Sequence, residues 1–134
     1  MLSLGTIVLG AADVHRAAAF WGAALGYVPR DGEAGDDWAV LVPADGGAGP
    51  GIAVGRSATP VQEHPRVHLD LYAEDAADQA AQVERLVALG AGRVDWDRYP
   101  PDPDFVVLAD TEGNRFCVID TSFVPSFVPS SGTS

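Results

Sequence analysis

His68 and Asp70 are the two residues of this sequence whose types and spacing best suit proton transfer. They lie two positions apart in RVHLDLYAED, residues 66–75, where apolar and polar side chains alternate. Successive side chains of a strand point to opposite faces, so we predict that His68, Asp70 and Tyr72 share one polar face. A histidine beside a carboxylate can act as a general base near neutral pH.

A purely structural role for the same residues is the alternative. Asp70 would then bond Arg66 or Arg115, and His68 would only fill a polar pocket. Three apolar side chains of the segment are predicted to face the helix-covered side of the sheet, namely Val67, Leu69 and Leu71.

Cys117 is the single cysteine of the chain and a second candidate for chemistry. Its thiol could act as a nucleophile if His68 held it as a thiolate, because a free thiol is mostly protonated at pH 7. Cysteine is also among the most buried residue types, and a small apolar filler on a core strand needs no function. One cysteine forms no intrachain disulfide, which suits a reducing compartment.

The elements that hold these residues come from two copies of one unit. The stretch TIVLGAADVHRAAAFWGAALG lines up with HLDLYAEDAADQAAQVERLVALG. Asp13 and Asp75 correspond at an offset of 62 residues, and Leu25 and Leu89 correspond at an offset of 64. Each copy is typical of a strand, a helix and two or three further strands.

Helix signals are similar in the two copies. Asp13 and Asp75 are good N-caps, and Gly26 and Gly90 supply the C-terminal stops. Trp21 lies on the apolar stripe of the first helix and is assigned to the core. The stripe of the second helix is predicted at Ala76, Ala80, Val83 and Val87. Further strands are predicted at about 27–30, 38–42, 51–54, 93–96, 105–109 and 115–119.

Composition limits the classes of partner. The 134 residues suit one domain, and a 47% hydrophobic content is enough for an ordinary core. With 8 basic and 19 acidic residues, the net charge of -11 makes nucleic acid a poor partner but would steer a cationic small molecule toward the surface. The absence of lysine excludes Schiff-base chemistry. We expect a cytoplasmic protein with no membrane partner, since no apolar run suits a membrane span and no basic segment opens a secretion signal.

The order of these motifs resembles the vicinal oxygen chelate superfamily, which includes glyoxalase I, extradiol dioxygenases and bleomycin-type antibiotic-binding proteins. The resemblance covers about residues 4–122, and RVHLDL, LVALGA and EGNRFCV look most like the small glyoxalase-like domains. It implies an α+β fold of two βαβββ units, about residues 4–56 and 66–122, which form a curved mixed sheet with the helices on its convex face. Residues 123–134 would be a C-terminal extension.

The resemblance also implies a divalent metal site with four inward-facing positions, two from each unit. In this sequence those positions fall at Thr6, Ala53, His68 and Cys117. Thr6 is a weak ligand and Ala53 cannot bind, so only His68 and Cys117 could coordinate a metal strongly. A metal is therefore disfavoured, and no cofactor is expected. The set suits neither a dioxygenase nor lactoylglutathione lyase.

Aromatic residues would matter most if the protein binds a ligand without catalysis. Flat side chains that face a cleft stack on a planar or sugar-like ligand at little entropic cost. The alternative for Trp38 and Phe105 is a place in the core, because both faces of their strands are apolar. The predicted ligand-binding residues are Thr6, Trp38, His68, Asp70, Tyr72, Trp96, Phe105, Arg115 and Cys117.

The preferred hypothesis is a homodimer that binds a small organic molecule in a cleft between units, without a full metal site. The alternative is a lyase or isomerase that uses a weak metal site or acid–base catalysis by His68 and Asp70. A third hypothesis, an interaction module, depends on the tandem SFVPSFVPSSGTS at the C-terminal end.

Overall fold

The computed structural model describes residues 1–123, so the extension predicted at 123–134 lies outside them from residue 124 onward. Two modules follow each other along the chain, residues 6–56 and residues 68–120. The first module contains β1 (Thr6–Ala11), α1 (Val14–Leu25), β2 (Tyr27–Pro29), β3 (Trp38–Pro43) and β4 (Gly51–Arg56). The second contains β5 (Leu69–Ala73), α2 (Ala76–Leu89), β6 (Gly92–Arg93), β7 (Phe105–Ala109) and β8 (Arg115–Asp120), and a 3₁₀ turn follows at Thr121–Phe123. The predicted βαβββ repeat is confirmed.

Each module has its own four-stranded mixed sheet. The strand orders are β1-β4-β3-β2 and β5-β8-β7-β6, with the first and last strands of each module parallel and the other neighbours antiparallel. Val8 lies opposite Ala53 in the first sheet, and Asp70 lies opposite Cys117 in the second. The register therefore repeats at the offsets of 62 and 64 residues found in the sequence. The α+β prediction is confirmed.

Both helices begin at their predicted aspartate caps. The Asp13 carboxylate accepts the N–H of Arg16 at 3.1 Å, and the Asp75 carboxylate accepts the N–H of Asp78 at 2.8 Å. Each cap satisfies one backbone donor that has no partner within the helix. The first helix ends at Gly26, whose φ of 71° is left-handed and therefore favours glycine.

One apolar core joins the two modules. Trp21 of α1 is 1% exposed, and its ring lies 5.1 Å from that of Phe116 in β8. The assignment of Trp21 to the core is confirmed, although its contacts reach the second module as well as its own sheet. The α2 stripe differs from the prediction, because Val83 and Leu86 are buried while Ala76 and Ala80 are exposed. Larger side chains bury more apolar area, so they set the rotation of the helix.

Two strands are shorter than predicted. Strand β5 begins at Leu69, so Val67 lies before the sheet and is 77% exposed, contrary to its predicted place in the core. The first residue of β8 with a partner in β5 is Phe116, which pairs with Leu69 and leaves residues 66–68 outside the ladder.

Strand β6 stops at Arg93 instead of reaching Trp96. A longer β6 would continue opposite Val107, but the backbone N–H of Val107 donates to the Tyr99 hydroxyl at 2.8 Å. Residues 94–104 therefore leave the sheet as a loop. Among residues 1–123, no helix combines the length and the apolar character that crossing a membrane requires.

Candidate functional site

A cleft of about 530 Å³ lies on the face of the second sheet that is not covered by helices. We call it the second-module cleft. Seven of the nine predicted ligand-binding residues line it, namely His68, Asp70, Tyr72, Trp96, Phe105, Arg115 and Cys117. The polar face of residues 66–75 therefore borders a concave surface, as the alternation of side chains predicts.

His68 and Asp70 are in direct contact at one end of the cleft. The His68 Nε2 atom lies 3.0 Å from Asp70 Oδ1, and both side chains are a little under half exposed. A carboxylate at this distance can hold the imidazole in one orientation. The alternative in which Asp70 bonds Arg66 or Arg115 is wrong, because the carboxylate pairs with His68 and lies beside Cys117.

Cys117 faces the same carboxylate from strand β8. Burial raises the pKa of this thiol to about 12, and the charge and hydrogen bond of Asp70 add to the shift. A negative neighbour and a dry environment both disfavour the thiolate. The alternative in which His68 holds a nucleophilic thiolate is therefore wrong. The thiol is a protonated donor toward Asp70.

The implied metal site does not fit these residues. His68, Asp70 and Cys117 bring three ligand atoms within 4.8 Å of one another, but all three come from the second module. The equivalent positions of the first module are Thr6, Val8 and Ala53, which supply no strong ligand.

Aromatic rings form one wall of the second-module cleft. The rings of Tyr99 and Phe105 are 5.3 Å apart, and those of His64 and Trp96 are 5.0 Å apart. His64 Nε2 lies 2.8 Å from Asp97 Oδ1, which ties the linker between the modules to loop 94–104. These contacts hold the Trp96 and Phe105 rings at the edge of the cleft before any ligand binds.

Sequence reasoning missed several residues of the cleft. His64, Arg98, Asp104 and Thr121 line it but were not predicted. His64 and its partner Asp97 are 33 residues apart in a linker and a loop, where no periodicity indicates contact.

Two predicted residues, Thr6 and Trp38, do not line the second-module cleft. Both belong to the first module, where Trp38 is 50% exposed and its ring lies over Gly55. A neighbouring cavity of about 600 Å³ follows β1 and the linker at residues 57–65, and its lining includes neither Thr6 nor Trp38. It adjoins the second-module cleft, because His68 and Arg115 line both.

The turn at residues 110–114 directly precedes β8 and joins the two modules. Asp110 is 4% exposed, and its carboxylate accepts hydrogen bonds from Trp21 Nε1 at 2.9 Å and from the backbone N–H groups of Glu112 and Asn114. The side-chain amide of Asn114 also donates to Asp110 and to the carbonyl of Gly10 in β1.

Glu112 makes a second link across the modules. Its carboxylate accepts the N–H groups of Ala12 and Asp13 at 3.0 Å each, and Arg16 pairs with it through two nitrogens at 2.7 and 3.0 Å. The hydrogen bond from Arg16 is the largest cause that lowers the pKa of Glu112 to about 2. The Glu112 carboxylate of the second module therefore lies at the N-terminal end of α1, where unpaired backbone N–H groups stabilise a negative charge.

The fold and the site together define a two-module α+β protein with a ligand-sized cleft on one open sheet. Residues 6–119 match the family model of the glyoxalase-like domain, and the chain belongs to that family. The resemblance to the vicinal oxygen chelate superfamily is confirmed.

Solved structures show the same fold at low sequence identity. A glyoxalase-related enzyme from Fulvimarina pelagi has a TM-score of 0.65 and 20% identity, over 89% of this chain and 88% of that one. A glyoxalase/bleomycin resistance protein/dioxygenase family enzyme from Burkholderia phytofirmans PsJN has a TM-score of 0.66 and 14% identity, over 87% and 97% of the two chains. The fosfomycin resistance protein FosX from Listeria monocytogenes has a TM-score of 0.65 and 18% identity, over 90% and 91%. No curated protein gives a significant sequence match.

Proposed function

We propose that the chain binds a small organic molecule in the second-module cleft. The observation that carries this proposal is the cleft itself, which combines about 530 Å³ of space with aromatic walls and a polar group at one end, His68 with Asp70. Ligand sites are concave, mostly apolar and supplied with a few positioned polar groups, and this volume lies within their usual range.

The rigidity of the cleft supports the same proposal. The Tyr99 side chain is already ordered, because its hydroxyl accepts the Val107 N–H and its ring packs on Phe105. The pair of His64 and Asp97 holds Trp96 in a similar way. A wall that is ordered in advance saves the entropy of ordering it on binding.

A thermal-shift screen of planar and antibiotic ligands tests the proposal. Fosfomycin and bleomycin belong in the panel because the family's solved structures include resistance proteins for them by name. We expect a ligand that raises Tm, with the Kd weakened about fivefold in Phe105→Ala, since one stacked ring contributes about 1 kcal/mol.

His68→Ala provides a second cleft variant, and Thr6→Ala is its matched control at the equivalent position of the first module. The proposal requires weaker binding in His68→Ala and unchanged binding in Thr6→Ala. A ligand whose affinity ignores both Phe105 and His68 would place binding elsewhere and contradict the proposal.

A lyase or isomerase activity is the second candidate, and the contact between His68 Nε2 and Asp70 Oδ1 at 3.0 Å favours it. An imidazole oriented by a carboxylate can remove a proton from a bound molecule and return it. Incubation of a bound carbonyl compound in D2O would then introduce deuterium at the carbon beside the carbonyl. His68→Gln should abolish the exchange while the ligand still binds, and exchange that persists in this variant would exclude the role.

We also propose that the protein is cytoplasmic and forms a homodimer. The open face of the first sheet exposes three apolar side chains to solvent, Val8, Val28 and Trp38. A second copy that covers this face would remove them from water. Sedimentation equilibrium should give twice the mass of one chain, and Trp38→Asp should give the mass of one.

A further inference from the structure

Arginine pairing is uneven across the described chain. All eight basic residues are arginines within residues 1–123, and four of them form ion pairs with carboxylates, namely Arg16, Arg30, Arg56 and Arg93. Arg85 donates instead to the carbonyls of Ala23 and Ala24 at the end of α1.

Three arginines have no ion pair with any residue in the described part of the chain, although the sequence holds 19 acidic residues. They are Arg66, Arg98 and Arg115. Two of these three, Arg98 and Arg115, line the second-module cleft.

The Arg115 guanidinium is anchored, but not all of its hydrogen-bond donors have a partner within residues 1–123. Its Nη1 donates to the carbonyl of Gly113 at 2.8 Å, which anchors the guanidinium to the turn at residues 110–114. Its Nε is buried and has no hydrogen-bond partner within residues 1–123. A buried donor without a partner is unfavourable, and such a group in a native site calls for an acceptor. The Nη2 atom forms no hydrogen bond with any residue up to Phe123, so the guanidinium can still donate a charge-assisted hydrogen bond to an oxyanion.

The carboxylates of the cleft do not fill that role. Asp70 pairs with His68 and contacts the Cys117 thiol, so its carboxylate already has two partners on the cleft face. Asp97, next to Arg98 in sequence, pairs with His64, and that hydrogen bond is the largest cause of its lowered pKa. Asp104 also lines the cleft but forms no ion pair with any residue up to Phe123. The two arginines therefore remain available to a ligand.

We infer that the ligand of the second-module cleft is an oxyanion on a flat apolar body, most simply an aromatic or unsaturated carboxylate. The anionic group would contact Arg115 and Arg98, and the flat body would stack on the ring wall that contains Trp96 and Phe105. This inference rests on the proposed function, because it assigns a chemical class to the ligand of the same cleft. It also reverses the expectation from net charge, which favours a cationic ligand.

The net charge of -11 predicts opposite salt dependences for the association rates of anionic and cationic ligands. A negative protein repels an anion at long range, and salt screens that repulsion. The association rate of the carboxylate should therefore rise as ionic strength increases at low salt, whereas that of a cation would fall.

Isothermal titration of three matched probes tests the inference: 2-naphthoate, 2-naphthamide and 2-naphthylmethylamine. They share one ring system and differ in charge. We expect 2-naphthoate to bind at least about tenfold more tightly than the amide, because charge-assisted hydrogen bonds are about twice as strong as neutral ones. Arg115→Gln and Arg98→Gln should each remove most of that preference. Arg56→Gln, which removes an exposed arginine of the first module, should keep the preference in full.

Each outcome separates the inference from the proposed function. Equal affinity for acid and amide, or tighter binding of the amine, overturns the anion assignment while the cleft remains a binding site. A preference that survives in both Arg98→Gln and Arg115→Gln also overturns it. Absence of binding by all three probes overturns the assignment of an oxyanion on a flat apolar body, whereas the proposed function is decided by the thermal-shift panel. If Arg115→Gln does not fold, Arg115→Lys keeps the charge without the fork, and Arg98→Gln applies the same test at an exposed residue.

Discussion

The two modules share one backbone plan and differ in the chemistry of their open faces. Their first and last strands are parallel neighbours, with Val8 opposite Ala53 in one module and Asp70 opposite Cys117 in the other. The first pair is apolar, whereas the second joins a carboxylate to a thiol. Open-face side chains lie away from the helices, so they can change without disturbing the shared core. The duplicated fold therefore constrains where a site can form and leaves its chemistry to each module.

The hairpins between the last two strands of each module differ in a similar way. Asp45, in the first module, is exposed, and within residues 1–123 its carboxylate accepts only the N–H of Gly47. Asp110, in the second, is buried and accepts bonds from three residues, among them Trp21 of the other module. The second hairpin thus anchors the modules to each other while the first remains a surface turn.

The largest effect should come from breaking that anchor. Asp110→Ala leaves the buried donors of Trp21 and Asn114 without an acceptor, and we expect it to lower the free energy of unfolding by about 3 to 5 kcal/mol. Asp45→Ala is the matched control and should cost less than about 1 kcal/mol. Urea unfolding measures both. Equal losses in the two variants would mean that the hairpins are not different in role.

Cys117 should react slowly with alkylating reagents. With its pKa raised to about 12 by burial and Asp70, the thiolate is scarce at pH 8. We expect iodoacetamide to modify it at least about 100-fold more slowly than it modifies glutathione. Asp70→Asn should raise the rate only modestly, because burial is the larger cause. A rate like that of glutathione would contradict the buried, protonated thiol.

Acid should weaken the link between modules through Glu112. Its folded pKa of about 2 lies below the ordinary value of 4.5, so its contribution to stability is present above pH 4.5 and is lost as the pH falls toward 2. We expect a loss of about 1 to 2 kcal/mol, since the half-exposed Arg16 is screened by solvent. Urea midpoints between pH 2 and 6 should show a shallower pH dependence in Glu112→Gln than in the unmodified chain. Parallel curves would contradict the lowered pKa.

The smallest effect should come from exposed ion pairs, and it should be alike in both modules. Arg56 with Asp37 belongs to the first module, and Arg93 with Glu84 belongs to the second. Their side chains are more than half exposed, so Arg56→Gln and Arg93→Gln should each change the unfolding free energy by less than about 1 kcal/mol. A large loss in only one of them would reveal an asymmetry that the contacts do not explain.

The repeat was the most informative feature of the sequence, because caps and offsets are local signals. Asp13 and Asp75 predict both helix starts, and the offsets of 62 and 64 predict the register that places Asp70 opposite Cys117. Alternation then predicts that His68, Asp70 and Tyr72 share a face.

Contacts between distant segments were beyond prediction. The end of β6 depends on Tyr99, whose hydroxyl takes the Val107 N–H. The low pKa of Glu112 depends on Arg16, 96 residues earlier, and neither residue carries a motif. The sequence could not show that Trp38 lies outside the cleft. Both faces of its strand are apolar, so the alternation of side chains does not indicate which face is open.

The most direct test of the account is a chemical-shift titration of the ¹⁵N-labelled chain with 2-naphthoate. We expect the largest backbone amide shifts at Asp70, Tyr72, Arg115 and Cys117, and these shifts should saturate together with one Kd. If those four amides do not move while others shift, or if nothing shifts up to the solubility limit of the probe, the second-module cleft is not the ligand site.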